Sequence, residues 1–209
     1  MMQLSGFHSD ALREIGSIGM GNATTALSQL LNCKVQLNLS NSQVIDIASM
    51  SSMMPSSITL AAIMMDLAGD LNGIMMVLFD SNSAVTLSSL LVSKNTLEED
   101  PGMYESALNE IGNILAGSYL KNIYDLLGAK VLQSTPEIVI GDAQKLFAEI
   151  AARLSGGSTD ILNIETMFQV QVLSSPQGNS TLYGDMFVFL DKDSLSSLFI
   201  LIEKLLNGQ

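Results

Sequence analysis

The stretch Asp10-Ala-Leu-Arg-Glu-Ile-Gly-Ser-Ile18 returns in altered form as Ser106-Ala-Leu-Asn-Glu-Ile-Gly-Asn-Ile114, at a shift of 96 residues (106 − 10). The match runs on without a gap to Val35 and Val131, and 11 of the 26 aligned positions are identical. Agreement of this extent at a single register is typical of an internal duplication. The chain is therefore predicted to contain two copies of one structural unit.

A second pair of segments supports the duplication. The run from Gly73 to Asp80 resembles the run from Gly184 to Asp191, now at a shift of 111 residues (184 − 73). The second copy therefore carries about 15 extra residues (111 − 96) between the two matched blocks. We expect these to include residues 143–154, whose apolar side chains recur at helical spacing.

Each copy is predicted to form a long helix, an extended segment, two strands and a closing helix. The predicted helices are Ser9 to Leu31, Tyr104 to Leu127, Ser83 to Val92 and Ser194 to Leu206; the predicted extended segments are Leu39 to Ile47, Ser57 to Leu67, Gly73 to Phe79, Glu137 to Ile140, Asn163 to Leu173 and Gly184 to Leu190, with a hairpin loop at Ser175 to Asn179.

The fold class that follows is α+β, in one domain with pseudo-two-fold symmetry. Repeat one covers about residues 6–95, an acidic, proline-broken linker about 96–102, and repeat two about 103–209. An open sheet from one copy would leave apolar surface uncovered, so we expect the two copies to join in one continuous, mostly antiparallel sheet.

Composition excludes several classes of function. The chain has 47% hydrophobic and 14% charged residues, which favours a folded protein with a large core. Its formal net charge of −12 opposes binding to nucleic acid. The apolar stretch from Ile58 to Phe79 contains Asp66 and Asp70, so it is predicted to form two buried strands and not to insert into a membrane. With one cysteine and no basic, apolar leader, the protein is expected in the cytoplasm.

Metal or cysteine chemistry in this chain is not expected. His8 is the only histidine and Cys33 the only cysteine, so no cluster with metal-ligand spacing can form from these residue types. His8 is interpreted as an ordinary residue just ahead of the first helix. Cys33 is interpreted as a small buried filler, because no second histidine is present to activate it.

The long helix of the second copy carries two separate stripes. At 100° per residue, its expected core-facing stripe consists of Ala107, Ile111, Ile114, Leu115 and Ser118. Ser106, Glu110, Asn113 and Gly117 fall within about 60° of one another on a different side. A polar face of this kind is ordinary for an amphipathic helix. Asparagine and glycine both weaken a helix, however, and a face selected only for solubility would carry Lys and Glu there.

A carboxamide and a carboxylate on an exposed helix can act on a second macromolecule. The amide group of Asn113 can hold a water and direct its lone pair at an electrophile, and Glu110 can pair with a cation on a docking partner. No Gly-rich phosphate cradle or Walker lysine is present. The partner would therefore have to bring the phosphoryl group, much as a glutamine in GTPases orients the attacking water.

These residues resemble a known family. Ser106-x3-Glu110-x2-Asn113 followed by 22 residues and Pro136 is similar to the signature Asp/Ser-x3-Glu-x2-Asn-x22-Pro of the CheC, CheX and FliY chemotaxis phosphatases. The run Gly21-Asn-Ala-Thr-Thr-Ala-Leu-Ser28 resembles the first helix of CheC in particular. The duplication covers nearly the whole chain, as it does in CheC.

The resemblance implies dephosphorylation of the phosphorylated response regulator CheY. Asn113 would orient a water for in-line attack on the aspartyl phosphate, Glu110 would pair with a lysine of the regulator, Ser106 would begin the motif, and Pro136 would fix the chain that leaves the helix. It implies no cofactor bound by this chain, a Mg²⁺ ion in the acidic pocket of the regulator, and binding of the receptor deamidase CheD.

The first copy departs from the signature. Asp10 and Glu14 are present, but Ser17 stands where asparagine is expected and Ser40 where proline is expected. A hydroxyl lacks the separated donor and acceptor of an amide. We therefore expect one competent site, in the second copy, with the first a weak docking surface or a relic.

Two other functions stay open at this point. The half-degenerate signature also fits a non-catalytic adaptor that binds CheD or a response regulator without hydrolysis. The thirteen methionines suggest a flagellar-switch or membrane-associated assembly module. The pairs Met53-Met54, Met64-Met65 and Met75-Met76 are, however, interpreted as core packing in strands, since methionine is a flexible packer.

Overall fold

A computed structural model describes residues 6–46, 49, 58–92, 100, 102–154, 160–175 and 178–206. In chain order the elements are α1 (Gly6–Leu31), β1 (Lys34–Asp46), β2 (Thr59–Gly69), β3 (Gly73–Asp80), α2 (Ser81–Leu91), α3 (Gly102–Leu127), β4 (Val131–Gln133), β5 (Glu137–Asp142), α4 (Ala143–Leu154), β6 (Asp160–Ser175), β7 (Gly178–Leu190) and α5 (Lys192–Leu206).

The strands form one antiparallel sheet in the order β1-β6-β7-β3-β2-β4, and β5 also pairs with β2, beyond β4 along the same strand. Each half of the chain contributes a central strand, a long strand and an edge strand, and the edge strand lies against the other half: β1 pairs with β6, and β4 and β5 pair with β2. This confirms the predicted α+β class with one continuous antiparallel sheet.

At the centre of the sheet the two halves meet where β3 pairs with β7. Met76 lies opposite Phe187 in this pairing, and these residues are 111 apart (187 − 76), the same shift that relates the two sequence segments. The pseudo-two-fold axis therefore passes between Met76 and Phe187. Both side chains are buried.

Helices cover both faces of the sheet. Helices α1, α2, α3 and α5 bury one face in the larger core, around Leu27, Ile63 and Leu115. Helix α4 covers part of the other face, where Phe147 packs edge-on against Phe187 and Phe189. Because the central strand β3 is covered on both sides, its residues 74–79 are apolar without alternation.

The segment from Ile58 to Phe79 forms the β2–β3 hairpin, as predicted. Its polar turn is closed by a hydrogen bond of 3.2 Å from the Gly69 amide to Asn72 Oδ1. No helix in the described ranges is long and apolar enough to cross a membrane.

The methionines at 64, 65, 75 and 76 are buried to 1% exposure or less, which confirms their place in the core. Met53 and Met54 lie outside the described residues.

Several boundaries differ from the sequence prediction. Strand β1 begins at Lys34, five residues before the predicted Leu39, because its first residues pair with β6. The hairpin loop is shorter than the predicted Ser175 to Asn179, because Ser175 pairs with Gly178. The short strand β4 was not predicted.

Helix α4 has the bounds expected from its spacing, Ala143–Leu154. The repeat limits stay a prediction, and most of the linker lies outside the described residues.

The closing helices begin two residues before their predicted starts because an aspartate caps each of them. Asp80 Oδ1 accepts hydrogen bonds from the amides of Asn82 (2.9 Å) and Ser83 (3.0 Å) at the start of α2. Asp191 Oδ1 accepts one from the amide of Ser194 (2.8 Å) at the start of α5. The two aspartates correspond at the shift of 111 residues (191 − 80), so the same cap recurs at the matching place in both halves.

Candidate functional site

Helix α3 is a platform with one buried and one open side. Ala107, Ile111 and Leu115 are buried, as predicted. Ile114 and Ser118, also placed in the core stripe, are only half-buried, while Leu108, Ala116 and Tyr119 are buried instead. The buried face is wider and rotated relative to the prediction because α3 packs against both the sheet and α1.

The four residues of the predicted polar stripe lie on the open side of α3. Ser106, Glu110, Asn113 and Gly117 are all exposed. Side chains three and four residues apart on a helix lie about 5–6 Å from each other at Cβ, so Glu110 and Asn113 are neighbours. A Cβ added at Gly117 would meet nothing within 4 Å. This flank, called the Asn113 flank below, is open to an approaching surface.

Ser106 is turned back onto its own helix. Its hydroxyl donates a hydrogen bond of 3.0 Å to the Gly102 carbonyl oxygen in the first turn of α3. In this arrangement Ser106 satisfies a local backbone acceptor.

The amide of Asn113 is held by a side chain that the sequence motif does not contain. Gln133 Nε2 donates a hydrogen bond of 3.1 Å to Asn113 Oδ1. Gln133 is the last residue of β4, twenty positions later in the chain. Sequence reasoning missed it because a three-residue strand has no recognisable period, and only tertiary packing brings the two amides together.

Pro136 lies behind the Asn113 flank. It is buried, and a Cβ built on Gly112 would lie 3.7 Å from Pro136 Cβ and 2.6 Å from Ile63 Cγ2. Glycine at 112 thus lets α3 approach both the sheet and the proline closely. The residue next to Asn113 is therefore in tight contact with the rest of the fold.

The chain between α3 and Pro136 is fixed by two pairs of hydrogen bonds to β2 and its turn. The Asp66 amide donates to Ser134 Oγ (3.0 Å) and the Ser134 amide to the Asp66 carbonyl oxygen (2.9 Å). The Asp70 amide donates to the Lys130 carbonyl oxygen (2.9 Å), and the Lys130 amide to Asp70 Oδ2 (2.8 Å). Strand β4 is held at both ends, and Gln133 with it.

An open groove of about 640 Å³ continues from the Asn113 flank between α3 and β4. Gly117 and Gln133 lie in its wall, and two exposed apolar side chains line it, Leu132 (74% exposed) and Tyr124 (50% exposed). Lys121, which also lines the groove, is paired with Asp125 at 2.5 Å. The surface beside the motif is therefore largely apolar.

The corresponding flank of the first copy is built differently. Asp10 and Ser17 are exposed on α1; Glu14 is on the same helix, and its side chain lies outside the described residues. The position equivalent to Gln133 is Leu37 (133 − 96). Ser40, at the position of the proline, donates a hydrogen bond of 3.1 Å to the Glu165 carbonyl oxygen. The pair of amides on α3 and β4 has no counterpart here.

His8 and Cys33 occupy packing positions. His8 lies inside α1, not ahead of it as predicted, and stacks on Phe199 with ring centroids 4.0 Å apart. Cys33 is partly buried against the core, and burial raises the pKa of its thiol. Among the described residues no group of three or more His, Cys, Asp or Glu is placed to hold a metal ion.

Beneath the flank, burial raises the pKa of Tyr119 to about 12. Tyr119 contributes to the support of the helix as a neutral side chain.

Comparison with known proteins relates both the sequence and the fold to chemotaxis phosphatases. The family described as "Chemotaxis phosphatase CheX" matches residues 61–170, and the "CheC-like family" matches residues 7–38. The "CheY-P phosphatase CheC" of Bacillus subtilis is 30% identical over 196 residues, which are 91% of this chain and 91% of that protein.

Solved structures share the fold. The crystal structure of Thermotoga maritima FliY superposes with a TM-score of 0.71 at 20% identity, covering 98% of this chain and 100% of that one. The CheX of the CheX–CheY–BeF₃–Mg²⁺ complex from Borrelia burgdorferi matches with a TM-score of 0.50 at 14% identity, over 85% of this chain and 98% of the other. With a family match over more than half of its length and a full-length relative at 30% identity, this chain belongs to the CheC/CheX family of chemotaxis phosphatases.

Proposed function

We propose that this protein hydrolyses the aspartyl phosphate of a phosphorylated CheY response regulator, with Asn113 orienting the attacking water and Glu110 docking the regulator. The observation that carries the proposal is the Asn113 flank itself: a carboxylate and a carboxamide, both exposed on one side of a helix whose other side is packed in the core. The B. subtilis relative, a CheY-P phosphatase, supports the choice of substrate.

The amide of Asn113 suits the proposed role because it can both donate and accept. The hydrogen bond from Gln133 uses one lone pair of Oδ1. The second lone pair and the amide hydrogens are then available to a water placed in line with the phosphorus. Attack forms a bond from the water oxygen to phosphorus and breaks the bond to the aspartyl oxygen. The products are the free carboxylate of the regulator and inorganic phosphate, which carries the oxygen and the protons of the attacking water into solution.

Glu110 suits docking because it is exposed and lies next to Asn113. By the family resemblance its carboxylate would meet a lysine in the active site of the regulator. Such a pair gains strength as the interface excludes water. It would set the distance between the regulator and Asn113, which matters because water attack depends on position.

The other site residues are proposed to act in support. Ser106 begins the motif in the first turn of α3, and Pro136 holds the chain behind Asn113. The first flank, with Asp10, Glu14 and Ser17, is proposed to contribute little to catalysis. It lacks the amide of Asn113 and the donor of Gln133.

The phosphoryl group and its Mg²⁺ are proposed to come with the regulator, so that this chain binds no cofactor. Long-range attraction would not assist docking, because the net charge of −12 repels an acidic partner. We therefore expect local contacts and a transient complex. CheD as a second partner and a cytoplasmic location are proposed from the family resemblance and the composition alone.

The test is turnover of the phosphorylated regulator. The regulator carrying ³²P at its aspartate is mixed with a substoichiometric amount of this protein, and release of inorganic phosphate is followed. The proposal expects several phosphates released per protein molecule, and release about 100-fold slower with the Asn113→Ala variant. A phosphoryl lifetime unchanged by the wild-type protein, together with binding to the regulator, would instead establish the adaptor function.

A further inference from the structure

We propose that Gln133 is a positioning residue that sets the orientation of the Asn113 amide. This inference rests on the proposed phosphatase function. It adds to the site a residue outside the motif, on a different element of the fold.

The first support is the geometry of the contact. Gln133 Nε2 lies 3.1 Å from Asn113 Oδ1, within the range of a good N–H···O hydrogen bond. Asn113 is exposed on its helix, so its side chain would otherwise be free to change rotamer. A donor from Gln133 selects the rotamer and the amide face in which Oδ1 points toward β4. The opposite edge, with the amide hydrogens, then faces outward.

The second support is the rigidity of the element that carries Gln133. Its Cα pairs with Leu67 of β2, and the next residue, Ser134, exchanges hydrogen bonds with Asp66 through its amide and its hydroxyl. On the other side, the absence of a side chain at Gly112 allows α3 to pack closely against Ile63 of the same strand, β2. The elements that carry the two amides therefore both pack on strand β2, and the sheet fixes the distance between the amides.

The third support comes from the internal repeat. The equivalents of Asn113 and Gln133 in the first copy are Ser17 and Leu37, so both partners differ together. Glu14 and Glu110 are identical at the same shift, and Asp10 corresponds to Ser106, both of which the motif accepts. A leucine cannot donate a hydrogen bond. The copy without the catalytic amide is also the copy without the donor that would orient it.

The test separates orientation from docking by steady-state kinetics on the phosphorylated regulator. Gln133→Leu is expected to lower kcat about tenfold and to leave KM within about twofold, since one hydrogen bond made near the reacting group is worth roughly a factor of ten. Gln133→Glu, of similar size but without the donor, should show the same loss. Gln29→Leu, the same change at an exposed position of α1, is the matched control and should match wild type.

A double variant gives a readout that a structural role would not produce. In the Asn113→Ala background, Gln133→Leu should cause no further loss of kcat, because its effect passes through the amide. Unchanged urea unfolding of both Gln133 variants would show that the fold is intact. Independent, additive losses, or a rise in KM with kcat unchanged, would overturn the inference.

The failure of this inference can be told from failure of the proposed function. If the wild-type protein turns over the regulator and Asn113→Ala greatly slows turnover, but Gln133→Leu and Gln133→Glu match wild type, the positioning role alone is wrong. If the wild-type protein produces no turnover, the proposed function is wrong and the positioning role falls with it.

Discussion

Helices α1 and α3 are both 26 residues long and align in sequence at a shift of 96 residues, but they differ where they face outward. Each carries a glycine with open space around it, Gly21 and Gly117. Each is followed by a residue with positive φ, Asn32 at 49° and Gly128 at 71°, which ends the helix in the left-handed conformation. The features that shape the backbone are therefore preserved between the copies.

The exposed flanks have diverged in chemistry. The second has an asparagine held by a glutamine; the first has Ser17 and Leu37 at the same two places. Since the two helices are both 26 residues long and end alike, the comparison assigns the difference between a proposed catalytic flank and a proposed non-catalytic one to these side chains and to the strand that follows each helix. The four predictions that follow test that contrast, beginning with the largest effect.

Asn113→Ala is expected to reduce phosphatase turnover by about 100-fold, since removal of a water-orienting group has an effect of that order. Asn113→Ser, which copies the first flank, should lose nearly as much because a hydroxyl lacks the amide geometry. Ser17→Ala should stay within about twofold of wild type. Phosphate release from the phosphorylated regulator measures all three. Large loss with Ser17→Ala, or activity retained by Asn113→Ala, would reverse the assignment of the flanks.

Glu110→Gln is expected to raise KM for the regulator about tenfold with a smaller effect on kcat, because it removes a charge used in docking. Its equivalent, Glu14→Gln, should leave KM unchanged. Initial rates over a range of regulator concentrations at two salt concentrations provide the measurement. The proposed pairing predicts that salt raises KM for the wild type more than for Glu110→Gln. Equal effects at positions 14 and 110 would indicate docking on both flanks.

Gly117→Ala and Gly21→Ala form a matched pair. Alanine in an exposed helix interior is favoured over glycine by up to about 1 kcal/mol, and a Cβ meets nothing within 4 Å at either site, so both variants should be more stable in urea unfolding. Only Gly117→Ala should lower turnover, by a few-fold, because its methyl group lies one turn from Asn113. Equal activity of the two variants would show that the regulator does not approach over position 117.

The helix caps test the part of the fold that the copies share. Asp80→Ala and Asp191→Ala should each cost about 1 kcal/mol of unfolding free energy at neutral pH. For Asp80, burial acts to raise the pKa, but hydrogen bonds from the Ser83 hydroxyl and from two amides outweigh it, and the pKa is lowered. The ionised cap therefore stabilises the fold above the ordinary aspartate pKa, and this contribution is lost as pH falls through the lowered value.

The measurement for the caps is urea unfolding at neutral pH and at about pH 3, below the ordinary pKa of aspartate. The difference between wild type and Asp80→Ala should shrink at the lower pH. A difference that stays constant would show that the charge of Asp80 does not contribute.

Much of the fold could be predicted because its signals are local and repeated. Helical spacing gave α4 its correct bounds, and the long apolar runs gave the central strands. The start of β1 and all of β4 could not be predicted, since both depend on pairing with distant strands. For the site, the motif spacing predicted that Glu110 and Asn113 share an exposed face. The contact with Gln133 depends on how a three-residue strand is held against the sheet, which no sequence period records.

The β3–β7 pairing also bears on how such a chain can change over time. The central strands β3 and β7 belong to different halves, and each pairs along one edge with the other, with Met76 opposite Phe187 at the middle. Removal of either half would leave a long apolar strand edge unpaired, the kind of edge that aggregates. A half without a catalytic site is therefore still needed for strand pairing. Substitutions can accumulate on its outer helix surface, while its central strand stays constrained.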